Sequence, residues 1–92
     1  MTDPIALRVL TSGGLILEDQ AASIIAPGEL GYFGVLANHA PLVTTLTAGK
    51  LTWRHADGTS QTRPIGEGLC EVAHNRCTIL TTDVQPLSPP SP

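Results

Sequence analysis

The chain has 92 residues, a net charge of −3 and one Trp, one Tyr and one Phe. That length holds one small domain, whose core must consist mainly of Leu, Ile, Val and Ala. The five basic residues are scattered, unlike the clustered charge of nucleic-acid-binding proteins, and no apolar run approaches the ~20 residues of a membrane span.

The hydrophobic pattern has a period of two along most of the chain. Short apolar or β-branched runs recur between turn signals, at residues 5–10, 15–17, 22–25, 42–47, 51–54, 68–73 and 76–82. Residues 15–22 could form a helix by propensity alone, but the glycines before them and the Ser-Ile-Ile that follows favour strand, turn, strand. The pattern therefore predicts an all-β domain, as an antiparallel sandwich or barrel.

Two tight turns follow from the sequence. Asp57-Gly58 lies between two alternating arms, and this residue pair readily supplies the positive φ angles of a hairpin turn. His74-Asn75 is expected to form a two-residue hairpin loop.

The two cysteines flank the second of these turns. A two-residue loop at residues 74–75 places Val72 opposite Cys77 and Cys70 opposite Ile79, so that the two sulfurs lie diagonally on one face. We expect two buried free thiols rather than a disulfide. A zinc site is not expected, because two further ligands at a suitable spacing are missing.

The composition changes at Pro86, where the sequence reads "PLSPPSP". Proline lacks the N–H that a sheet or a helix interior needs, and such segments are extended and solvated. We therefore assign the domain to residues 1–85 and expect a disordered Pro-rich tail at residues 86–92.

The stretch "GELGYFGVLANHAPLV", residues 28–43, holds the candidate functional residues. His39 has no nucleophile context nearby, and the glycines lack the strand–loop–helix setting of a phosphate site, so we expect no catalytic, cofactor-binding or metal residues. Tyr32 and Phe33 lie in what reads as a glycine-flanked loop, where aromatic side chains often anchor protein–protein contacts. We expect Phe33 and Val35 to point inward and Tyr32 to point outward.

Two motifs resemble one known family. "GYFGVLANHAPLVTTLTAGKLTW" (residues 31–53) and "IGEGLCEVAHNRCTILTTD" (residues 65–83) are similar to the signature regions of the ε subunit of F-type ATP synthases, called δ in mitochondria. The resemblance covers residues 5 to about 85 and implies a flattened antiparallel β-sandwich of about ten short strands. Ala37 stands where the family usually has proline, so the turn into His39 is expected to be less rigid.

The resemblance also implies a function. Such a chain is a non-catalytic rotor subunit of the central stalk, which links γ to the ring of c subunits and couples ion-driven rotation to ATP synthesis or hydrolysis. By this likeness Asn38, His39 and Pro41 contact γ, while Glu29 or Tyr32 contacts the c-ring. The implied location is peripheral, on the cytoplasmic face of the inner or plasma membrane, without membrane insertion and without a nucleic-acid partner.

Members of this family commonly continue into a C-terminal helical hairpin that restrains ATP hydrolysis and, in some, binds ATP. Because this sequence ends in "PLSPPSP", we expect the hairpin, ATP binding and any cofactor to be absent. The alternative is a free-standing small β-sandwich that binds a ligand or assembles with itself. Composition alone does not separate these two functions.

Overall fold

The chain forms nine β-strands in a computed structural model, which describes residues 3–84. The strands are β1 (Ile5–Thr11), β2 (Gly14–Ala21), β3 (Ser23–Gly28), β4 (Gly31–Leu36), β5 (Leu42–Leu46), β6 (Gly49–Arg54), β7 (Ser60–Ile65), β8 (Gly68–Ala73) and β9 (Arg76–Thr81). The all-β class is confirmed, with nine strands where about ten were predicted. No helix that could cross a membrane occurs between residues 3 and 84, and the predicted Pro-rich tail lies outside the described residues.

The nine strands belong to one sheet that curls over itself. Its order is β2-β1-β9-β8-β5-β3-β6-β7, and β4 pairs with β3. β3 and β5 share a single residue pair, Gly28 with Leu46, and the sheet bends at this corner. The bend separates a layer of β2, β1, β9, β8 and β5 from a layer of β4, β3, β6 and β7, which is the predicted sandwich.

One pair of neighbouring strands departs from the antiparallel prediction. β1 and β9 are parallel, with Leu7 beside Cys77 and Val9 beside Ile79. Short hairpin loops force consecutive strands to be antiparallel, but β1 and β9 are joined only through the rest of the domain. Their relative direction is therefore set by packing, which the local pattern does not report.

The core lies between the two layers and consists of aliphatic side chains, Trp53 and the two cysteines. Alternate residues of each strand point into it, as Ile5, Leu7 and Val9 do in β1. Leu51 and Trp53 do the same in β6, where Trp53 is only 2% exposed. Each such side chain contributes about 1.5–3 kcal/mol on burial, so the alternation of the sequence is also the main source of stability.

β4 corrects one expectation about the aromatic residues. Tyr32 and Phe33 lie on this strand rather than in a loop, because residues 28–31 form a tight turn that returns the chain alongside β3. The predicted directions are confirmed, since Phe33 packs against the core, Val35 is buried and Tyr32 is 60% exposed.

The turns agree with the sequence in most respects. Residues 14–21 form a strand rather than a helix, but the strand is continuous, so the turn expected within this stretch is absent and the break before β3 falls at residue 22. In the β6–β7 turn the N–H of Gly58 donates to the carbonyl of His55, and only Gly58 takes a positive φ (92°), with Asp57 outside that region. Asp57-Gly58 is therefore part of a three-residue loop.

The β8–β9 hairpin has the predicted register. His74 and Asn75 form its two-residue loop with φ angles of 52° and 57°. Val72 faces Cys77 and Cys70 faces Ile79 across the pair. Both cysteines are free and buried, as expected.

Candidate protein-binding surface

The candidate residues lie at two opposite ends of the sandwich, because β4 runs from one end to the other. We call one the His39 end, which comprises the β4–β5 loop (residues 37–41) and the turns at residues 55–59 and 74–75. We call the other the Glu29 end, which comprises the turns at residues 12–13, 28–31, 47–48 and 66–67. The strand register places them so, since Ser23 pairs with both Leu36 and Arg54 at one end, and Gly28 pairs with both Gly31 and Leu46 at the other.

Asn38 and Asn75 hold the β4–β5 loop in place. Asn38 takes a positive φ of 64°, which asparagine tolerates better than most residues. Its N–H donates to Oδ1 of Asn75 at 2.6 Å, and Nδ2 of Asn75 donates to Oδ1 of Asn38 at 3.3 Å. The β8–β9 turn thus holds the β4–β5 loop in a fixed shape. Ala37 does not restrict the backbone of this loop as a proline at that position would.

His39 orders the loop from within. Its N–H donates to the carbonyl of Leu36 at 3.1 Å, and its Nδ1 lies 2.7 Å from the carbonyl oxygen of Ala40. A carbonyl oxygen only accepts, so this contact places a hydrogen on Nδ1, and Nε2 is then an acceptor when the ring is neutral. The ring is half-buried, while Asn38 and Pro41 are exposed beside it.

The β3–β4 turn forms the tip of the Glu29 end. The N–H of Glu29 donates to the carbonyl of Thr45, and the hydroxyl of Thr45 donates to the Glu29 carboxylate at 2.5 Å. Gly31 follows with a φ of 128°, in the region that glycine adopts without strain. This anchoring projects Leu30 entirely into solvent, with a relative exposure of 104%.

Tyr32 lies beside this turn and is held by its hydroxyl group. The hydroxyl oxygen accepts the N–H of Lys50 at 3.1 Å. The same oxygen would be 2.9 Å from a Cβ atom at position 49. The Tyr32 side chain can lie across this position because Gly49 has no side chain. The ring is therefore both exposed and fixed in position.

A shallow groove of about 350 Å³ between β4 and β5 connects the two ends. Glu29, Leu30 and Tyr32 line it at one end, and His39 lines it at the other, with Leu42 and Thr44 between them. Glu29 and Tyr32 of one predicted set and His39 of the other thus border one groove. They do not converge on a point, which suits extended contact with proteins rather than chemistry on a small molecule.

The side chains of this surface are suited to binding another protein rather than to catalysis or metal binding. Among residues 3–84, no group of three or more His, Cys, Asp or Glu side chains is arranged to hold a metal ion. His39 binds backbone carbonyls rather than a serine or cysteine, so the residues around it do not form a nucleophile–base pair. A clamped polar loop and an exposed leucine next to a fixed tyrosine are typical of protein interfaces.

The sequence interpretation missed two contributors to this surface. Leu30 was overlooked, although a leucine between two glycines in "GELG" is a signal for an apolar side chain at the tip of a turn. Asn75 was recognised as a turn residue and as part of the second motif, but not as a contact of the β4–β5 loop. Its partner Asn38 is 37 residues away, and no local signal reports such a contact.

Comparison with known proteins gives one consistent result. Residues 4–86 match the family described as the β-sandwich domain of the delta/epsilon chain of ATP synthase. The chain is 39% identical over 74 residues to the ATP synthase epsilon chain of Moorella thermoacetica, a match that covers 80% of this chain and 55% of that protein. It is 40% identical over 79 residues to the epsilon chain of Campylobacter hominis, covering 85% of this chain and 61% of that one.

A solved structure extends the similarity to three dimensions. The chain superposes with a TM-score of 0.86 and 27% identity on a chain in the cryo-EM structure of the Euglena gracilis mitochondrial ATP synthase, OSCP/F1/c-ring. The match covers 95% of this chain and 56% of that chain. The chain thus spans less than two thirds of the length of these related proteins.

Proposed function

Because the chain belongs to the ATP synthase delta/epsilon family, whose β-sandwich domain it matches over residues 4–86, we propose that it is a non-catalytic rotor subunit of an F-type ATP synthase. In this role it joins the γ subunit to the c-ring in the central stalk, so that rotation of the ring reaches the catalytic head. It is peripheral to the membrane and lies on the cytoplasmic face.

The observation that carries this proposal is the separation of two binding ends by a stiff body. A connector under load needs one surface for each partner and little deformation between them. The two ends are joined by β4 and by the paired strands beside it, whose ladder bonds and close-packed core resist shear.

We assign γ to the His39 end. Asn38 and Pro41 are exposed on a loop whose shape is fixed by Asn75 and by the His39 ring. Such preorganisation lowers the entropic cost of binding, because little of the loop has to be ordered on contact. Asn38 and Pro41 then contact the partner, and His39 contributes through loop shape and its free Nε2 acceptor.

We assign the c-ring to the Glu29 end. Leu30 and Tyr32 present apolar surface there, whereas the Glu29 carboxylate already accepts the Thr45 hydroxyl. Glu29 therefore positions the turn, and Leu30 with Tyr32 makes the contact.

The alternative of a free-standing ligand-binding or self-assembling sandwich is not favoured. The relatives are named ATP synthase epsilon chains, and the groove between the ends is shallow.

The test is co-purification from detergent-solubilised source membranes with a tagged chain, followed by mass spectrometry. Recovery of γ, the head subunits and the c subunit is the expected result. A folded chain that recovers none of them would contradict the proposal.

Two variants make this experiment specific, because each is the control of the other. His39→Ala should reduce recovery of purified γ and leave recovery of an isolated c-ring unchanged. Leu30→Ala should have the opposite effect. Equal loss of both partners in either variant would show that the ends are not separate binding surfaces.

A further inference from the structure

The β8–β9 hairpin holds two thiols in contact inside the core. The Sγ atoms of Cys70 and Cys77 are 3.7 Å apart, and both residues are completely buried. They occupy diagonal positions, since Cys70 pairs with Ile79 and Cys77 pairs with Val72. Neither thiol has a part in the binding surface described above.

The two thiols are both fully buried but have different neighbours. Cys77 lies between Val72 and Leu7 in the middle of its layer. Cys70 pairs on its other side with Thr44 of β5, and Thr44 lines the groove between β4 and β5. A small reagent in the groove therefore meets Cys70 first.

The contact between the sulfurs also distinguishes their acidities. The hydrogen bond with Cys77 lowers the pKa of Cys70, although burial opposes this. The same hydrogen bond and burial raise the pKa of Cys77. Because the thiolate is the nucleophilic form, Cys70 is the sulfur that reacts with an oxidant.

We propose that Cys70 and Cys77 are a redox-active dithiol, which hydrogen peroxide closes into an intramolecular disulfide across the β8–β9 hairpin. The sulfurs must come about 1.7 Å closer than they are, because a disulfide bond is about 2.05 Å long. Closure requires rotation of both side chains and a small shift of the two hairpin strands toward each other, because diagonal positions lie farther apart than directly opposed ones.

The reaction has two steps, formation of a sulfenic acid and formation of the disulfide. The Cys70 thiolate attacks one oxygen of hydrogen peroxide, the O–O bond breaks, and the hydroxide that leaves is protonated to water while Cys70 becomes a sulfenic acid. The Cys77 sulfur then attacks the Cys70 sulfur. The S–S bond forms as the S–O bond breaks, and the departing hydroxide takes the Cys77 proton to give a second water. Both sulfurs are oxidised and the peroxide is reduced.

The disulfide has a consequence for the His39 end. It fastens the hairpin whose turn carries Asn75, and Asn75 holds the N–H of Asn38. Oxidation should therefore make the β4–β5 loop more rigid. An effect on partner binding would rest on the proposed function, whereas disulfide formation and loop rigidity do not.

The experiment treats the folded full chain with hydrogen peroxide, unfolds it with an alkylating agent present, and measures its mass. The expected product is a monomer lighter by two hydrogen atoms, with neither thiol alkylated. Its melting temperature should rise on the order of 5 °C and return to the starting value with dithiothreitol. The amide hydrogen of Asn38 should exchange more slowly in the oxidised chain.

Single variants Cys70→Ala and Cys77→Ala provide the controls, after circular dichroism has shown that each is folded. Treated Cys77→Ala should gain oxygen on Cys70, and neither variant should melt higher after treatment. An unchanged mass in the wild-type chain, or addition of oxygen without loss of hydrogen, would overturn the dithiol. A disulfide that leaves the melting temperature and the Asn38 exchange rate unchanged would overturn the rigid hairpin.

Discussion

Asp19 joins the first strands of the chain to the β6–β7 hairpin. Its Oδ2 accepts Nε1–H of Trp53 at 2.8 Å and Nε2–H of His55 at 2.6 Å, while Oδ1 accepts the N–H of Gln20. The hydroxyl of Thr59 donates to Asp57, so its oxygen can only accept from Nδ1 of His55. Both ring nitrogens of His55 therefore act as donors, which is the arrangement of the protonated imidazolium.

The network shifts two pKa values in opposite directions. The hydrogen bond to Asp19 raises the pKa of His55 above its ordinary 6.5. The hydrogen bond from His55 is the main cause of the lowered pKa of Asp19, with Trp53 adding to it. Stability from His55 is thus present below pH 6.5 and is lost as the pH rises through the raised pKa, and stability from Asp19 is lost as the pH falls below 3.8 through the lowered pKa.

We predict from this sign that the chain melts at a lower temperature as the pH rises above 6.5. The decrease should be modest, because the pair is partly exposed and screened by solvent. Thermal melts of the wild type and of His55→Gln across this range measure it. The variant removes the titrating group, so its curve should be flatter, and parallel curves for the two proteins would contradict the prediction.

Trp53 carries a second prediction at the residue scale. Trp53→Ala should lower the free energy of unfolding by roughly 3–5 kcal/mol, because it leaves a cavity where a side chain that is only 2% exposed was packed. The free energy of unfolding of such domains is about 5–15 kcal/mol, so the variant should be largely unfolded or should melt at a much lower temperature. Trp53 is the only tryptophan, so far-ultraviolet circular dichroism in urea is the suitable measurement.

Trp53→Phe serves as the comparison for this change. It keeps most of the volume and loses the hydrogen bond to Asp19, so we expect a cost of about 1–2 kcal/mol. Native-like stability of Trp53→Ala would show that the side chain does not support the core.

At the scale of elements, the sequence was most informative where structure is local. The register of the β8–β9 hairpin and the burial of Cys70 and Cys77 followed from the alternation and the turn residues between them. β4 was missed because its glycines interrupt the apolar pattern, although they belong to a tight turn and a paired strand. The motif at residues 28–43 identified the candidate surface, but not the clamp on it.

Contacts distant in sequence could not be predicted from these patterns. The parallel pairing of β1 with β9 depends on how the two layers close. The bonds of Asn38 with Asn75 and of Asp19 with His55 join residues 37 and 36 positions apart. Side-chain hydrogen bonds of this kind exist only once the sheet has curled, so the local pattern carries no trace of them.

The Asn38–Asn75 clamp gives a prediction for the β4–β5 loop. Asn75→Gly keeps a backbone that tolerates the φ of 57° and removes only the side chain. We expect the free energy of unfolding to fall by about 1–2 kcal/mol and the amide hydrogen of Asn38 to exchange faster. Hydrogen-exchange NMR and urea unfolding measure the two effects.

His74→Gly is the matched control for this variant. It makes the same backbone change at the neighbouring turn position, where φ is 52°, and touches neither bond between the asparagines. If both variants speed the exchange of Asn38 equally, the loop is held by the turn backbone and not by the Asn75 side chain.

At the scale of the whole molecule, transmission of force would require that the ends remain firmly attached while the body stays rigid. Leu30 is the most exposed large apolar side chain of the described residues, and the carboxylate of the preceding Glu29 accepts a hydrogen bond from Thr45. An apolar side chain held in this way contributes to binding without contributing to folding. Its replacement should therefore separate attachment from stability.

We predict that Leu30→Asp leaves the melting temperature unchanged and weakens attachment to the c-ring on the order of tenfold or more, since anchor residues dominate interface energies. Membranes that carry the variant should make less ATP under an imposed ion gradient, while ATP hydrolysis by the detached head continues. Ile25→Asp places the same charge on the outer surface of β3, at a residue that is 47% exposed and lies between the two ends, and it should not affect synthesis. Normal ATP synthesis with Leu30→Asp, or equal loss with both variants, would mean that the tip of the β3–β4 turn does not attach the subunit to the ring.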